Sequence, residues 1–201
     1  VYENRNGSLS LIWSVPANCS YYQAEHNMAW GDWDSDGDLD LAIGQSDGPL
    51  RIYENTDKNL KLDPNNGLGW EGGNSTSSIA WGDWDGDGDL DLAGVVNPYS
   101  TKKVSVYENE NEILKLDPTN SLGWEGDSST SNVAWGDWDG DGDLDLAAGA
   151  RIYENDGGTL KLDPAHNLGW DGGGGGSNVA WGDWDGDGDL DLAITLGKNH
   201  V

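Results

Sequence analysis

Four copies of one acidic nine-residue pattern are the residues of this chain best suited to chemistry. Each copy reads Asp-Trp-Asp-x-Asp-Gly-Asp-Leu-Asp, and the copies occupy residues 32–40, 83–91, 137–145 and 183–191. Carboxylates at alternating positions turn toward a common centre, and a hard cation such as Ca²⁺ takes about six to eight oxygen ligands. The spacing therefore predicts one calcium site in each copy, four in all.

The roles of the loop positions follow from this spacing. Positions 1, 3, 5 and 9 offer side-chain oxygens, whereas position 7 offers its backbone carbonyl, so its side chain is expected to point outward. Glycine at position 6 permits the sharp bend that wraps a loop round an ion. The predicted metal-site residues are the aspartates of the four loops: Asp32, Asp34, Asp36, Asp38, Asp40, Asp83, Asp85, Asp87, Asp89, Asp91, Asp137, Asp139, Asp141, Asp143, Asp145, Asp183, Asp185, Asp187, Asp189 and Asp191.

Two other interpretations of these loops carry less weight. A solvated acidic loop explains a single copy, but carboxylates about 4 Å apart repel by roughly 1 kcal/mol per pair even in water. Four copies with identical internal spacing weigh against that explanation. An EF-hand needs a bidentate Glu at position 12 and flanking helices. Position 12 instead holds apolar residues or glycine: Ile43, Gly94, Ala148 and Ile194.

The sequence around each loop predicts strands. A short apolar run ending in Ala-Trp-Gly precedes each loop. The last two loop residues and the two residues after them form an alternating Leu-Asp-Leu-Ala segment. The loop is therefore expected to form the tip of a β-hairpin. A Tyr-Glu-Asn segment lies 30 residues before the first Asp of every loop, and Leu-Lys-Leu-Asp-Pro recurs between these two landmarks in three copies. Each period of about 50 residues thus contains four strand candidates, which is the content of a β-propeller blade.

The segment Val-Ala-Trp-Gly-Asp-Trp-Asp-Gly-Asp-Gly-Asp-Leu-Asp-Leu-Ala resembles the FG-GAP or VCBS repeat, the integrin-α-like propeller blade. This resemblance covers essentially the whole chain. It implies a calcium ion in the outer hairpin of each blade, an extracellular or cell-surface setting, and a role in adhesion or ligand binding. Integrin-type propellers have seven blades, whereas this chain has four repeats.

The expected fold class is all-β, a propeller-type array of four four-stranded blades with a calcium loop in each. We expect one repeat domain over residues 1–201, with repeats at about 1–52, 53–106, 107–152 and 153–201. The repeat phase is cut within a blade, because the last copy lacks a Tyr-Glu-Asn segment and the first residues supply one. We therefore expect the N-terminal strand to complete the last blade. Completion within one chain, which would close a four-bladed ring, is the favoured arrangement, and completion between chains or within a longer array stays open.

Composition restricts the classes of partner. The net charge of −27 argues against binding nucleic acid or an anionic membrane, and four calcium ions would leave it at about −19. No apolar stretch is long enough for a membrane span. The single cysteine, Cys19, excludes an internal disulfide framework. Glycosylation sequons occur at Asn6, Asn18 and Asn74, and their use stays open.

The twelve tryptophans admit a packing role or a ligand-binding role. Eight of them flank the metal loops at fixed positions, where large rings are expected to pack between blades. The remaining candidates for exposed contacts are three tryptophans in glycine-rich turns: Trp70, Trp124 and Trp170. Loops of variable length, 45–49 and 95–103, are the expected surfaces for a protein or carbohydrate ligand.

No nucleophile, phosphate-binding loop or histidine cluster has the spacing of a catalytic site, so we predict a non-enzymatic protein. Its predicted function is that of an extracellular calcium-binding module in adhesion or ligand binding. The alternative is a structural subunit of a head-to-tail extracellular filament, assembled by strand exchange between its ends.

Overall fold

The computed structural model describes residues 1–14, 27–44, 50–66, 75–97, 103–120, 122–123, 132–165 and 178–195. All of the regular structure in these ranges is β, which confirms the predicted fold class. The strands are β1 (Tyr2–Arg5), β2 (Ser8–Leu11), β3 (Asn27–Gly31), β4 (Asp40–Gly44), β5 (Arg51–Thr56), β6 (Asn59–Leu62), β7 (Ser75–Gly82), β8 (Asp91–Asn97), β9 (Lys103–Asn109), β10 (Leu114–Leu116), β11 (Leu122–Gly123), β12 (Val133–Gly136), β13 (Asp145–Ala148), β14 (Arg151–Asn155), β15 (Leu160–Leu162), β16 (Val179–Gly182) and β17 (Asp191–Ile194).

Three antiparallel sheets form complete blades. Blade 1 consists of β3 to β6, blade 2 of β7 to β11 and blade 3 of β12 to β15, and the first four strands of each pair in chain order. In blade 2 the short β11 shares the outer edge of β9 with β10. All four strand candidates of the repeat are thus strands of one blade, as the sequence predicts.

Two further sheets have only two strands each. The N-terminal half-blade, β1 and β2, corresponds in sequence to the third and fourth strands of a blade, and the C-terminal half-blade, β16 and β17, to the first and second. The half-blades belong to separate sheets. The strands of a fourth blade are therefore present, but in this structure β1 does not pair with β17.

The register repeats from blade to blade. In the three complete blades, the Leu that follows the metal loop lies opposite the Tyr of Tyr-Glu-Asn, as Leu41 opposite Tyr53 and Leu146 opposite Tyr153. The metal loops connect the first and second strands, for example from Gly31 to its cross-strand partner Asp40. The predicted position of each loop at a hairpin tip is confirmed.

The blades pack through a tryptophan on the first strand of each successive blade. The Trp81 ring covers Gly31 of blade 1, and its indole N–H donates to the carbonyl of Ala29 at 3.3 Å. Trp135 on Gly82 and Trp181 on Gly136 repeat this arrangement. A side chain at the glycine would leave no room for the ring, so these glycines serve close packing. The predicted role of the loop-flanking tryptophans in packing is confirmed at these interfaces.

The apolar core is divided among the interfaces between blades. One cluster between blades 1 and 2 includes Trp33, Ile52 and Leu92, all buried. A second, between blades 2 and 3, includes Trp84 and Val106. Each blade therefore depends on its neighbours to bury both of its faces.

We expect Gly82→Ala to destabilise the protein by roughly 1–3 kcal/mol, the usual cost of overpacking. The added Cβ would lie 2.7 Å from Cδ1 of Trp135, so the ring must move. Gly182→Ala is the matched control, because its Cβ would meet nothing within 4 Å. Urea unfolding measures both variants, and equal losses at the two positions would contradict this packing account.

Several sequence-based expectations fall outside the described residues. These are the packing of Cys19, the exposure of Trp70, Trp124 and Trp170, the sequons at Asn18 and Asn74, the 45–49 loop and part of the 95–103 loop. In the described part of the chain, no helix is long and apolar enough to cross a membrane.

Candidate metal centres

Each candidate metal centre is a loop whose backbone is bent by residues in the left-handed region. Glycine at position 6 has φ between 95° and 101° in the four loops, as at Gly37 and Gly88. Position 4 is also left-handed, with φ of 75° at Gly86 and 59° at Ser35. Glycine adopts this conformation without strain, which explains its presence at position 6 in every copy.

The bends bring three carboxylates together in every loop. In loops 2, 3 and 4 the aspartates at positions 1, 3 and 9 each offer an oxygen within 4.8 Å of the others, and in loop 1 those at positions 1, 3 and 5 do so. Ca²⁺ binds oxygen at about 2.3–2.6 Å, so two ligands of one ion lie up to about 5 Å apart. The spacing and the all-oxygen donor set fit a calcium ion. The clusters are Asp32, Asp34 and Asp36; Asp83, Asp85 and Asp91; Asp137, Asp139 and Asp145; and Asp183, Asp185 and Asp191.

The position 1 aspartate provides a more specific test of the fit. Oδ2 of Asp83 accepts the N–H of Gly88 at 3.1 Å, which holds the carboxylate in place across the loop. Its Oδ1 is buried and accepts no hydrogen bond from the described residues. Asp32 has the same arrangement, with Gly37 as donor. A buried, unpartnered carboxylate oxygen is costly. A cation at the loop centre would satisfy it.

The position 9 aspartate also accepts hydrogen bonds within its own blade, which the sequence does not reveal. Both oxygens of Asp91 accept backbone N–H groups, from Trp84 at 3.2 Å and from Asn109 at 2.8 Å. Asp91 is only 1% exposed. Its carboxylate thus ties the start of the metal loop to the third strand of its own blade.

The Asn of Tyr-Glu-Asn connects the loops of successive blades. Nδ2 of Asn109 in blade 2 donates to the carbonyl of Trp33 in loop 1 at 2.8 Å. Asn155 in blade 3 donates to the carbonyl of Trp84 in loop 2 at 2.7 Å. Each bond joins position 2 of one loop to the next blade, so loop geometry and blade packing are linked. The recurrence of this Asn in every Tyr-Glu-Asn segment was the available sequence signal.

The loop carboxylates are unfavourable as bare charges. Burial raises the pKa of Asp40 to about 6 and that of Asp91 to about 7, although backbone N–H donors oppose the shift. Burial also raises the pKa of Asp34 and Asp85, and repulsion from neighbouring loop carboxylates adds to it. The folded protein therefore favours either a proton or a cation at these groups.

These pKa shifts predict that the stability of the metal-depleted protein depends on pH. The pKa values of Asp40 and Asp91 are higher in the folded than in the unfolded state, so their contribution to stability is present below about pH 4 and lost as pH rises through about 6 to 7. The unfolding free energy of the metal-depleted protein should therefore fall over that range. Saturating calcium should oppose the fall, because calcium competes with the protons.

Urea unfolding at a series of pH values measures this dependence. Asp91→Asn is the control, because it removes one titrating carboxyl and should flatten part of the slope. A metal-depleted protein whose stability rises from pH 4 to 7 would contradict the assignment.

The remaining predicted site residues are the aspartates at positions 5 and 7, of which only Asp36 belongs to a carboxylate cluster. The carboxylate at position 5 accepts the backbone N–H of position 7, as Asp87 does from Asp89 at 3.0 Å. The position 7 aspartates do not belong to the carboxylate clusters, and their expected role, in which the backbone carbonyl binds the ion, stays a prediction. Those aspartates are Asp38, Asp89, Asp143 and Asp189.

Comparison with known proteins supports the sequence resemblance. Residues 32–94 match the FG-GAP-like repeat family. This span contains loop 1 and loop 2, where it confirms the resemblance read from the motif. A search of curated proteins finds no match.

Proposed function

We propose that this FG-GAP-like repeat protein is a calcium-stabilised β-propeller-type module that acts outside the cell in adhesion or ligand binding, without enzymatic activity. The observation that carries the proposal is the set of four carboxylate clusters at equivalent hairpin tips. The buried Oδ1 atoms of Asp32 and Asp83, which have no hydrogen-bond partner among the described residues, favour a cation as the ligand of these clusters.

Bound calcium would supply positive charge and oxygen coordination at the centre of each loop. The aspartates at positions 1 and 3 would hold the ion in every loop. The position 9 aspartate would also hold it in loops 2, 3 and 4, where it belongs to the carboxylate cluster. Through Asp91 and Asn109, the same residues fix the loop against the third strand and the preceding blade. Calcium binding in loop 2 would therefore stabilise the contact between blades 1 and 2 as well as its own hairpin.

An extracellular setting agrees with the chemistry of these sites. Exposed loops with few fixed ligands suit the affinity of extracellular calcium modules, roughly 0.1–1 mM. Such sites fill where calcium is abundant. The acidic charge would also keep the loaded protein away from nucleic acid and anionic membranes.

The binding role follows from the division of the chain into a regular framework and variable connections. The blades repeat their register and packing, whereas the connections after the second strand differ in length. Variable loops on a rigid framework are typical binding surfaces. A protein or carbohydrate ligand is the partner that we propose for them.

Calorimetric titration of the metal-depleted chain with calcium tests the proposal, and we expect four ions per chain. Asp85→Ala should remove one ion and leave three, because each loop uses its own carboxylates and blades interact mainly with their neighbours. Asp89→Ala is the matched control in the same loop, since its predicted ligand is the backbone carbonyl. Loss of all binding in Asp85→Ala, or no binding by the wild-type chain, would refute the account.

A further inference from the structure

The side chain of Asn109 joins two candidate metal loops directly. Its Nδ2 donates to the carbonyl of Trp33, position 2 of loop 1, at 2.8 Å and to the carbonyl of Leu90, position 8 of loop 2, at 3.3 Å. An amide nitrogen has two hydrogens, so each loop receives one of them. Asn109 is 3% exposed, and these bonds are therefore shielded from competition with water.

Asn155 repeats this arrangement between loops 2 and 3. Its Nδ2 donates to the carbonyl of Trp84 at 2.7 Å and to the carbonyl of Leu144 at 3.2 Å. Asn155 is also buried. Both bridges lie between complete blades and connect equivalent loop positions.

The peptide at position 2 is held on both sides. The N–H of Trp33 donates to Oδ2 of Asp40 in its own loop at 3.1 Å, whereas its carbonyl accepts from Asn109. Trp33 lies between Asp32 and Asp34, two members of the loop 1 cluster. The orientation of this one residue therefore affects the positions of both carboxylates.

The backbone of each bridging residue is held by its own loop. The N–H of Asn109 donates to Oδ1 of Asp91 at 2.8 Å, and Asp91 belongs to the loop 2 cluster. Oδ2 of Asp91 accepts the N–H of Trp84, whose carbonyl accepts from Asn155. The N–H of Asn155 in turn donates to Asp145 of the loop 3 cluster at 2.8 Å. A continuous series of hydrogen-bonded residues thus runs from loop 1 through loop 2 to loop 3.

We propose that Asn109 and Asn155 are positioning residues that couple the calcium loops of successive blades, so that an ion in one loop strengthens calcium binding in the next. This coupling rests on the proposed calcium function. It is reciprocal, because linkage requires that two sites change each other's affinity by the same factor. Loops 1, 2 and 3 should therefore fill over a narrower range of calcium concentration than three separate loops.

The difference between a filled and an empty loop supplies the coupling. An empty loop keeps three carboxylates within 4.8 Å of one another, so their repulsion favours opening of the loop. Opening turns the position 2 peptide away and breaks its bond to the Asn of the next blade. An ion holds the carboxylates together and thus keeps that Asn in the orientation that also supports the next loop.

A second buried asparagine joins the same two blades away from the metal loops. Nδ2 of Asn66 donates to the carbonyl of Glu112 at 3.0 Å, and its Oδ1 accepts the N–H of Leu114 at 2.9 Å. These partners lie in the turn before β10 and at the start of β10, the fourth strand of blade 2. Asn66→Ala is therefore the matched control for Asn109→Ala, because it removes a contact between blades 1 and 2 and leaves the bridge between the loops intact.

A calcium titration followed by two-dimensional proton–nitrogen NMR measures each loop separately. The position 6 glycine of every loop donates its N–H to the position 1 aspartate, as Gly37 does to Asp32 and Gly88 to Asp83, both at 3.1 Å. Its amide signal therefore reports the occupancy of its own loop. Asp85→Asn changes an exposed residue and removes a carboxylate from the loop 2 cluster. In this variant the dissociation constant of loop 1 should rise roughly fivefold or more.

The bridge itself is tested by adding Asn109→Ala to the same titration. In that background Asp85→Asn should no longer change the affinity of loop 1, whereas in Asn66→Ala the effect should remain. The comparison separates the bridge from blade packing, as in a double-mutant cycle. Dispersed amide signals show that each variant is folded. Asn155→Ala, measured at Gly142, tests the equivalent bridge between loops 2 and 3.

The outcomes distinguish this proposal from the calcium proposal. An unchanged loop 1 affinity in Asp85→Asn, or coupling that survives both Asn109→Ala and Asn155→Ala, would overturn the coupling and leave calcium binding standing. Loss of the coupling in Asn66→Ala as well would assign it to blade packing and overturn the role of Asn109. Glycine signals that do not move with calcium in any loop of the wild-type chain would overturn both proposals.

Discussion

Removing calcium should lower the unfolding free energy of this protein by roughly 6 kcal/mol. At a calcium concentration ten times the dissociation constant, each site stabilises the folded chain by about 1.4 kcal/mol. Counted as independent, four sites together therefore contribute roughly 6 kcal/mol. For a chain of this size the melting temperature should fall by roughly 10–20 °C in excess chelator. The physical reason is that the ion binds the folded loops and not the unfolded chain, so its removal takes this binding free energy away.

Thermal unfolding followed by circular dichroism measures this effect, with and without EDTA. The control is a variant in which the four position 3 aspartates are replaced by Asn, namely Asp34, Asp85, Asp139 and Asp185. Chelator should leave the melting curve of that variant unchanged. Magnesium at the same concentration should restore less stability than calcium, because it demands shorter and more regular coordination. A wild-type curve that does not move in EDTA would refute calcium stabilisation.

Asp91→Ala should destabilise the protein even when no metal is present. Its carboxylate accepts two backbone N–H groups, from Trp84 and Asn109, and both would lose their acceptor. Each unsatisfied buried donor costs about 1–3 kcal/mol, so the expected loss is about 2–6 kcal/mol. The same substitution should also weaken the contact between blades 1 and 2, since Asn109 holds the carbonyl of Trp33.

Asp191→Ala is the matched comparison. Asp191 occupies the same loop position but accepts the N–H of Trp184, whose side chain is exposed. Its replacement should therefore cost less than that of Asp91 in urea unfolding of the metal-depleted protein. Equal losses would show that position 9 does not act through the buried backbone groups of a complete blade.

The sequence predicted the parts of this structure that depend on short-range pattern. Alternation of apolar and polar residues on both sides of each loop indicated the hairpins, and glycine at position 6 indicated the bend. The repeat phase identified Tyr2 as the counterpart of Tyr53 before any register was known. These features are local, so they can be read from one chain.

The features that the sequence did not reveal are contacts between distant residues. Asp91 looks like any other loop aspartate, and only the fold shows that it accepts backbone N–H groups from two elements. Asn66 is fully buried and accepts the N–H of Leu114 in the next blade at 2.9 Å. Asn120 does the same for Leu160. Such contacts depend on blade packing, which periodicity alone does not specify.

The left-handed backbone at position 4 was also missed. Three copies have Gly there, and the first has Ser35 with φ of 59°. The sequence signal was present in those three glycines. Ser35 in the first copy obscured this signal, because serine rarely adopts the left-handed conformation.

Terbium luminescence tests the central claim, that the four acidic loops hold calcium, most directly. Terbium replaces calcium at oxygen sites, and each loop has a tryptophan between its position 1 and position 3 aspartates, so we expect that tryptophan to sensitise the emission. We expect tryptophan-excited emission that saturates at four ions per chain, is displaced by calcium, and falls by about one quarter in Asp85→Ala. Emission that is absent, or that persists after all four position 3 aspartates are replaced by Asn, would contradict the account.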